Sequence, residues 1–309
     1  MYFKVRKLGE GTYATIYLAK EIEKMDETDI FTAEDPHENF TRYVAIKRIK
    51  KTEYGTGIEV NAIREIKTFK KTQNEYLLKM LNIFEYKGDI HIVLEYVEYS
   101  LDKIIRSKEI VLMPSDIKSW VFMLLMGLKE LHDNYILHRD LKPNNLLITE
   151  GGKLKVADFG LCRKITEAMT PSAVTRWYRA PEMLLGIGQY SFSGDIWSVG
   201  VIMAEMFIRA PFFAAETDIQ QLECICRVLG TPKNFDLFDE KTVSFKLKHF
   251  PPVDLKNIFT AVSDDAIDLL KNMLQFDPRK RISVNDALNH VYFRTKPFAT
   301  KIENLPKPK

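Results

Sequence analysis

The chain has 309 residues, 46% of them hydrophobic and 28% charged, the balance of an ordinary globular protein, which excludes a disordered chain, a collagen-like fibre and a disulfide scaffold. Its 45 basic and 42 acidic side chains leave a net charge of +3, too small for a nucleic-acid binder identified by bulk electrostatics. The longest uncharged apolar runs, residues 120–128 and 196–204, fall well short of the ~18 residues that span a bilayer, and the N-terminus carries no signal-type apolar stretch.

Residues 3–9, 15–19 and 43–49 are short, β-branched or aromatic, and bounded by breakers, which predicts three strands. Between the second and third, residues 21–41 are acidic, contain Asp35-Pro36 and lack apolar periodicity, so a long surface loop insertion is expected. Ile58, Ala62, Ile66 and Phe69 recur at helical spacing, and residues 90–96 return to a strand-like run. Pro114-Ser115 supplies a helix start, with Ile117, Val121, Leu124, Leu128 and Leu131 on one face of a long core helix. A hairpin follows at 146–149 and 154–157. Residues 195–207, apolar nearly all round, predict a buried helix, and 263–274 and 283–290 each open with a hydroxyl cap. The Pro/Lys-rich end, 299–309, is expected to fray. The pattern is α+β: a small β-rich piece over 1–97 and a larger, mainly helical piece over 98–298. Cys162, Cys224 and Cys226 form no metal-spaced set, and their odd number fits a reducing, intracellular compartment; Cys224 and Cys226 read as buried small hydrophobes.

Gly9-Glu10-Gly11-Thr12-Tyr13-Ala14 lies between two strands, where glycines let backbone amides approach phosphate oxygens. A plain β-turn explains the same residues equally well. The order strand, glycines, strand argues against a dinucleotide site, which needs a helix N-terminus beneath the pyrophosphate. Lys47 taken alone reads as a strand lysine with its stem on apolar surface, and Glu65 on the next helix is a candidate partner. His138-Arg139-Asp140-Leu141-Lys142-Pro143-Asn144-Asn145 places a base, a lysine and an amide before the hairpin, and Ala157-Asp158-Phe159-Gly160 adds a carboxylate after it. These are parts for phosphoryl transfer, where positioning and charge neutralisation do most of the work. Asp140 would accept a hydroxyl proton, Lys142 would steady the transferring group, and Asn145 and Asp158 would hold Mg²⁺.

With Ala180-Pro181-Glu182, Asp195-Ile196-Trp197-Ser198 and Asp277-Pro278-Arg279-Lys280-Arg281 following in order, the chain resembles the eukaryotic protein kinases from about residue 4 to residue 293. The resemblance implies a bilobal protein kinase fold, with a small β-rich N-lobe and a larger mainly helical C-lobe, using ATP and Mg²⁺. It implies an ATP site formed by Leu8, Gly9, Gly11, Ile16, Ala45, Lys47, Glu65, Leu94, Glu95, Val97 and Leu147. In that site Lys47 pairs with Glu65, Leu94 stands at the gatekeeper position, and the backbone of Glu95 and Val97 meets adenine. Thr175 joins Asp140, Lys142 and Asn145 in the catalytic set, Glu182 pairs with Arg281, and Asp195 braces the catalytic loop.

Ala62-Ile63-Arg64-Glu65 resembles the end of a cyclin-binding helix motif, and Val174-Thr175-Arg176-Trp177-Tyr178-Arg179 resembles the substrate-pocket segment of proline-directed kinases, which together indicate the cyclin-dependent subgroup. That resemblance implies a cyclin docked near residues 59–65 with Ile63 as its anchor, and protein substrates with Ser/Thr-Pro sites. It also implies a phosphate on Thr170 held by Arg64, Arg139 and Arg163, an inhibitory pair at Thr12 and Tyr13, and a nuclear location with the cytoplasm second. As bare residues, Ile63 reads as a core isoleucine and Tyr13 as a ring packed over the loop. Asn144-Asn145 and residues 61–67 resemble the kinase of general transcription factor H, the CDK-activating kinase, which implies the RNA polymerase II tail or other cyclin-dependent kinases as substrates. Thr12-Tyr13 resembles the cell-cycle members instead. A catalytically silent scaffold would lack the lysine, the catalytic aspartate or a metal ligand, and all are present; a mitogen-activated kinase would carry Thr-x-Tyr, but residues 167–172 hold no tyrosine.

Overall fold

A computed structural model describes residues 1–11, 14–23, 31–32, 40–49, 60–165, 175–186, 191–232 and 248–307. The β-branched and aromatic N-terminal residues form one six-stranded sheet from β1 (Tyr2–Glu10), β2 (Ala14–Ile22), β3 (Phe31–Thr32), β4 (Phe40–Ile49), β5 (Met80–Tyr86) and β6 (Asp89–Glu95), in the order β3-β1-β2-β4-β6-β5. Neighbours are antiparallel except β1 and β3, which run parallel. The helix α1 (Val60–Lys71) interrupts the strands and buries Ala62, Glu65, Thr68 and Phe69 on one face, the spacing of a 3.6-residue repeat.

Two expectations for this part need correction. The loop set at 21–41 is shorter than expected, because Glu21 and Ile22 pair with Arg42 and Phe40 across β2 and β4, and Phe31–Thr32 adds an edge strand beside Tyr2 and Phe3. Backbone pairing extended these strands where side-chain periodicity gave no sign of it. Strand β5 had no counterpart in the sequence reading, since its half-buried residues do not alternate cleanly.

The remainder is mainly helical. It comprises β7 (Tyr99–Ser100), α2 (Leu101–Arg106), α3 (Pro114–Asp133), β8 (Ile136–Leu137), β9 (Leu146–Ile148), β10 (Leu154–Val156), β11 (Arg163–Lys164), α4 (Pro181–Leu184), α5 (Phe192–Ile208), α6 (Asp218–Leu229), α7 (Leu255–Ile258), α8 (Asp264–Met273) and α9 (Val284–Leu288). Pro114 opens α3 and the Asp116 carboxylate accepts from the Met113 N–H at 3.0 Å, satisfying an otherwise orphaned donor. The five residues expected on its core face are all buried. Every residue of α5 from Gly194 to Met206 is buried, and Ser263 and Ser283 cap α8 and α9. The hairpin pairs Leu146 with Val156 and Ile148 with Leu154. Cys226 is buried and Cys224 half-buried, all three cysteines being free thiols.

The C-terminal segment is docked, not frayed, as far as Leu305. Lys118 of α3, 1% exposed, donates its ammonium protons to the carbonyls of Thr295 at 2.7 Å and Pro297 at 2.6 Å. The Thr300 hydroxyl donates to Asp116 Oδ1 at 2.6 Å, the Ser119 hydroxyl donates to Thr300 O at 2.7 Å, and Leu305 is 3% exposed. Composition hides this anchorage because the segment contributes backbone carbonyls, one hydroxyl and one leucine to it.

Candidate active site

A cavity of about 720 Å³ lies between the sheet and the helical part, within the size range of small-molecule sites. β1 roofs it with Leu8 and Gly9, Gly11 follows just beyond that strand, β2 adds Ile16, and β4 contributes Ala45 and Lys47. Glu65 enters from α1, Leu94, Glu95 and Val97 from the end of β6 and beyond, Leu147 from the hairpin, and Asn145 and Asp158 from its two flanks. All eleven residues expected at the ATP site thus line one cavity. Leu78, which has no counterpart among the residues the sequence singles out, lines it as well, because an apolar residue carries no chemical signature.

Lys47 Nζ donates to Glu65 at 2.9 Å (Oε1) and 2.7 Å (Oε2) and to Asp158 Oδ1 at 3.3 Å, which joins sheet, α1 and hairpin through one ammonium. Burial pushes this ammonium towards its neutral form, but the two carboxylates outweigh it and hold the Lys47 pKa above the usual lysine value. Asp158 sits at φ 62°, a left-handed conformation rare for a non-glycine residue, which turns its carboxylate toward the cavity. Burial raises its pKa, Lys47 and His138 lower it, and the net is below the usual carboxylate value, so the group is ionised at neutral pH.

Asp140 is held from one side. Its Oδ2 accepts from Lys142 Nζ at 2.8 Å and from Asn145 Nδ2 at 3.0 Å, and Asn145 Nδ2 also reaches the Asp140 carbonyl at 2.8 Å. Its Oδ1 is buried with no hydrogen-bond partner among the described residues. Lys142 further donates to the Thr175 hydroxyl at 3.1 Å. Together the four residues expected to be catalytic form one hydrogen-bonded cluster.

Beneath the loop, Asp195 is fully buried and accepts from the backbone N–H of His138 and of Arg139, both at 2.9 Å, and from His132 Nε2 at 3.0 Å. Desolvation opposes its charge, but these donors overcome it and the carboxyl titrates below the usual range. His132, in the last turn of α3, is absent from the sequence reading; its only sign was a polar residue four positions after the buried Leu128. His138 Nδ1 accepts from the Asp140 N–H at 3.2 Å and Nε2 faces the Ala157 carbonyl at 3.0 Å, so the ring links the loop to the segment before Asp158. The Phe159 ring stands edge-on to Phe69 of α1 at 4.9 Å and to His138 at 5.9 Å. Arg281 and Glu182 form a two-pronged buried pair at 2.6 Å on each prong.

Of the residues expected to regulate, Arg139 and Arg163 line the cavity and Arg64 on α1 donates to Asn61 Oδ1 at 3.3 Å. Thr12, Tyr13 and Thr170 lie outside the described residues, as do Glu59 of the docking region and Val174. Ile63 is 36% exposed on α1, not buried in the core.

A nucleotide-sized cavity with a carboxylate-paired lysine at one end, beside an aspartate held by a lysine and an asparagine, defines a phosphotransferase centre. The protein kinase domain family matches residues 2–293, and the chain belongs to the protein kinases. It is 46% identical over 311 residues to a probable serine/threonine-protein kinase KIN28 homolog of Encephalitozoon cuniculi, with 99% of each chain covered. It is 40% identical over 316 residues to the serine/threonine-protein kinase KIN28 of Saccharomyces cerevisiae, covering 98% of each. Against cyclin-dependent kinase 7 of Dictyostelium discoideum it is 43% identical over 274 residues, 86% of this chain and 76% of that one. Within the family it is a cyclin-dependent serine/threonine kinase, so ATP, a divalent metal, a cyclin and protein substrates are its general requirements. Among the described residues no helix is long and apolar enough to cross a membrane.

Proposed function

We propose that this kinase transfers the γ-phosphate of Mg-ATP to serine or threonine followed by proline, in the nucleus, on the RNA polymerase II tail or on other cyclin-dependent kinases. The observation that carries the chemistry is Asp140, with Oδ2 tied down and a buried Oδ1 lacking a partner among the described residues, an acceptor that a substrate hydroxyl would satisfy. In this reading the hydroxyl oxygen bonds to the γ-phosphorus, its proton passes to Asp140 Oδ1, and the bond from phosphorus to the bridging oxygen of ADP breaks. Lys142 lies against the oxygens of the transferring group, and Thr175 holds Lys142 in place. Lys47, kept charged by Glu65, takes the α- and β-phosphates. Adenine lies between Ile16 and Ala45 above and Leu147 below, with Leu94 behind it.

The residues present fit Mg²⁺. Asn145 spends its amide protons on Asp140, which leaves its carbonyl oxygen, and Asp158 turns an ionised carboxylate into the same cavity. Two hard oxygen donors suit a metal that completes its shell with phosphate and water. When bound, Mg²⁺ neutralises charge on the phosphates.

For the cyclin, Val60 and Ile63 stand 55% and 36% exposed on α1, while Glu65 on the inner face already pairs with Lys47 in the single chain. A cyclin over residues 60–65 would hold that pairing in place. The test is phosphate transfer by the purified chain, alone and with candidate cyclins, to RNA polymerase II tail repeats, to an activation-loop substrate of another cyclin-dependent kinase, and to Ser-Ala versions of each. Cyclin-dependent activity on Ser-Pro sites supports the reading, and the favoured substrate separates a transcriptional from a cell-cycle role. Full activity without a cyclin contradicts it.

A further inference from the structure

The turn that follows Thr175 is held in place by a helix distant in sequence. Thr175, 3.1 Å from Lys142, leads into a 3₁₀ turn over Arg176–Tyr178. Its outer side meets the start of α6. Thr217 caps that helix, accepting from the Gln220 N–H at 3.2 Å while its own N–H donates to Gln220 Oε1 at 3.1 Å, which fixes the first turn. Asp218 then receives Arg176 Nε at 2.6 Å and Arg179 Nη1 at 3.2 Å and 3.4 Å. The fully buried Gln221 donates to Trp177 O at 3.2 Å and Phe213 O at 3.3 Å, and the Trp177 indole donates to Ala215 O at 3.2 Å.

We propose that Asp218 is a specificity-determining positioning residue, which through Arg176 and Arg179 sets where the 175–179 turn lies and so the shape of the pocket for the residue after the phosphoacceptor. The inference rests on the Ser/Thr-Pro reading above. One carboxylate joins the two arginines that bracket Trp177 and Tyr178, so the ends of the turn cannot move independently. A negative group in the first turn of a helix is also favoured by the helix dipole, which suits an acidic residue at position 218. The Arg179 side chain is only 7% exposed, where a fixed anionic partner matters more than at the surface. Choosing proline over other side chains requires a pocket of fixed shape, and such selectivity is lost when the supporting residues loosen.

The test uses the full chain with its activating cyclin and compares a Ser-Pro peptide with its Ser-Ala counterpart. For Asp218→Asn the KM for the Ser-Pro peptide rises about five- to tenfold and the preference for proline falls by a similar factor. The KM for ATP stays the same, and kcat at saturating peptide moves less than twofold. Asp218→Glu restores most of the preference. Arg176→Gln, which alters a half-exposed side chain, gives the same pattern should Asp218→Asn fold poorly. Unchanged peptide KM and preference in both variants overturns the proposal, as does a loss confined to kcat and thermal stability. Should the wild-type enzyme itself ignore proline, the Ser/Thr-Pro reading fails. In that case a raised peptide KM in the variants still supports the positioning role, and an unchanged one removes it.

Discussion

Asp195 shows how much one buried carboxylate does for the catalytic loop. It organises two backbone N–H groups and His132 without itself lining the cavity, so under the proposed mechanism any effect on activity would run through the position of Asp140. Asp195→Asn is predicted to cost about 3 kcal/mol or more in denaturant unfolding at neutral pH, because three donors lose a charged acceptor in a dry site. The pH dependence has a definite sign. A carboxyl with its folded pKa held below the unfolded value stabilises fully above about pH 5, and that contribution fades as pH falls through the unfolded value near 4 towards the lowered one. The gap between wild type and variant should therefore be constant from pH 5 to 7 and shrink below about pH 4; a gap of constant size down to pH 3 would mean that the charge of Asp195 is not what matters. At this scale the motifs made the site legible: Asp140, Lys142, Asn145 and Asp158 are close in sequence and meet in space. His132 and Asp218 were not legible, since each acquires its role from partners about 40 to 60 residues away.

Among the elements, α3 and the segment after α9 are the clearest case of a fold feature that composition misjudges. The apolar face of α3 was plain in the sequence, and its buried residues follow the expected spacing. Its back, however, is covered by residues 295–305, part of which falls in the 299–309 stretch that Pro/Lys content marks as a loose end. Trp120 reaches the Gly152 carbonyl at 3.0 Å, and a side chain at Gly152 would come within 2.5 Å of Ile302 O, so the segment also packs on the turn of the hairpin that carries Leu147. Leu305→Ala is predicted to destabilise the protein by about 2–5 kcal/mol, the usual cost of emptying a leucine-sized space in a core. Thermal unfolding of that variant is the check, and a melting point equal to wild type would return the segment to the status of a frayed tail.

Across the whole molecule, α1 is coupled to the helical part by two routes that do not share atoms. One is the ion-pair route from Glu65 through Lys47 to Asp158; the other is the ring contact from Phe69 through Phe159 to His138, whose backbone N–H ends on Asp195. Any partner that shifts α1 thus acts on Asp158 and on the loop that carries Asp140 together. Ile63 is exposed on the outer face of the same helix, and under the proposed docking Ile63→Ala is predicted to weaken cyclin binding by about tenfold or more while leaving nucleotide binding by the free chain unchanged. Titration calorimetry with the activating cyclin measures this, and an unchanged affinity would place the docking surface elsewhere.

The most direct measurement is to compare Asp140→Asn with wild type in nucleotide binding and in single-turnover phosphate transfer, using the cyclin-bound enzyme. The arrangement of Lys47, Glu65 and the apolar walls does not involve the Asp140 carboxylate, so nucleotide affinity should stay within twofold. Transfer should fall by about 10²–10⁴, the loss typical of removing a general base. Transfer at the wild-type rate would contradict the proposed mechanism, because Asp140 Oδ1, without a partner among the described residues, would then have no part in the reaction.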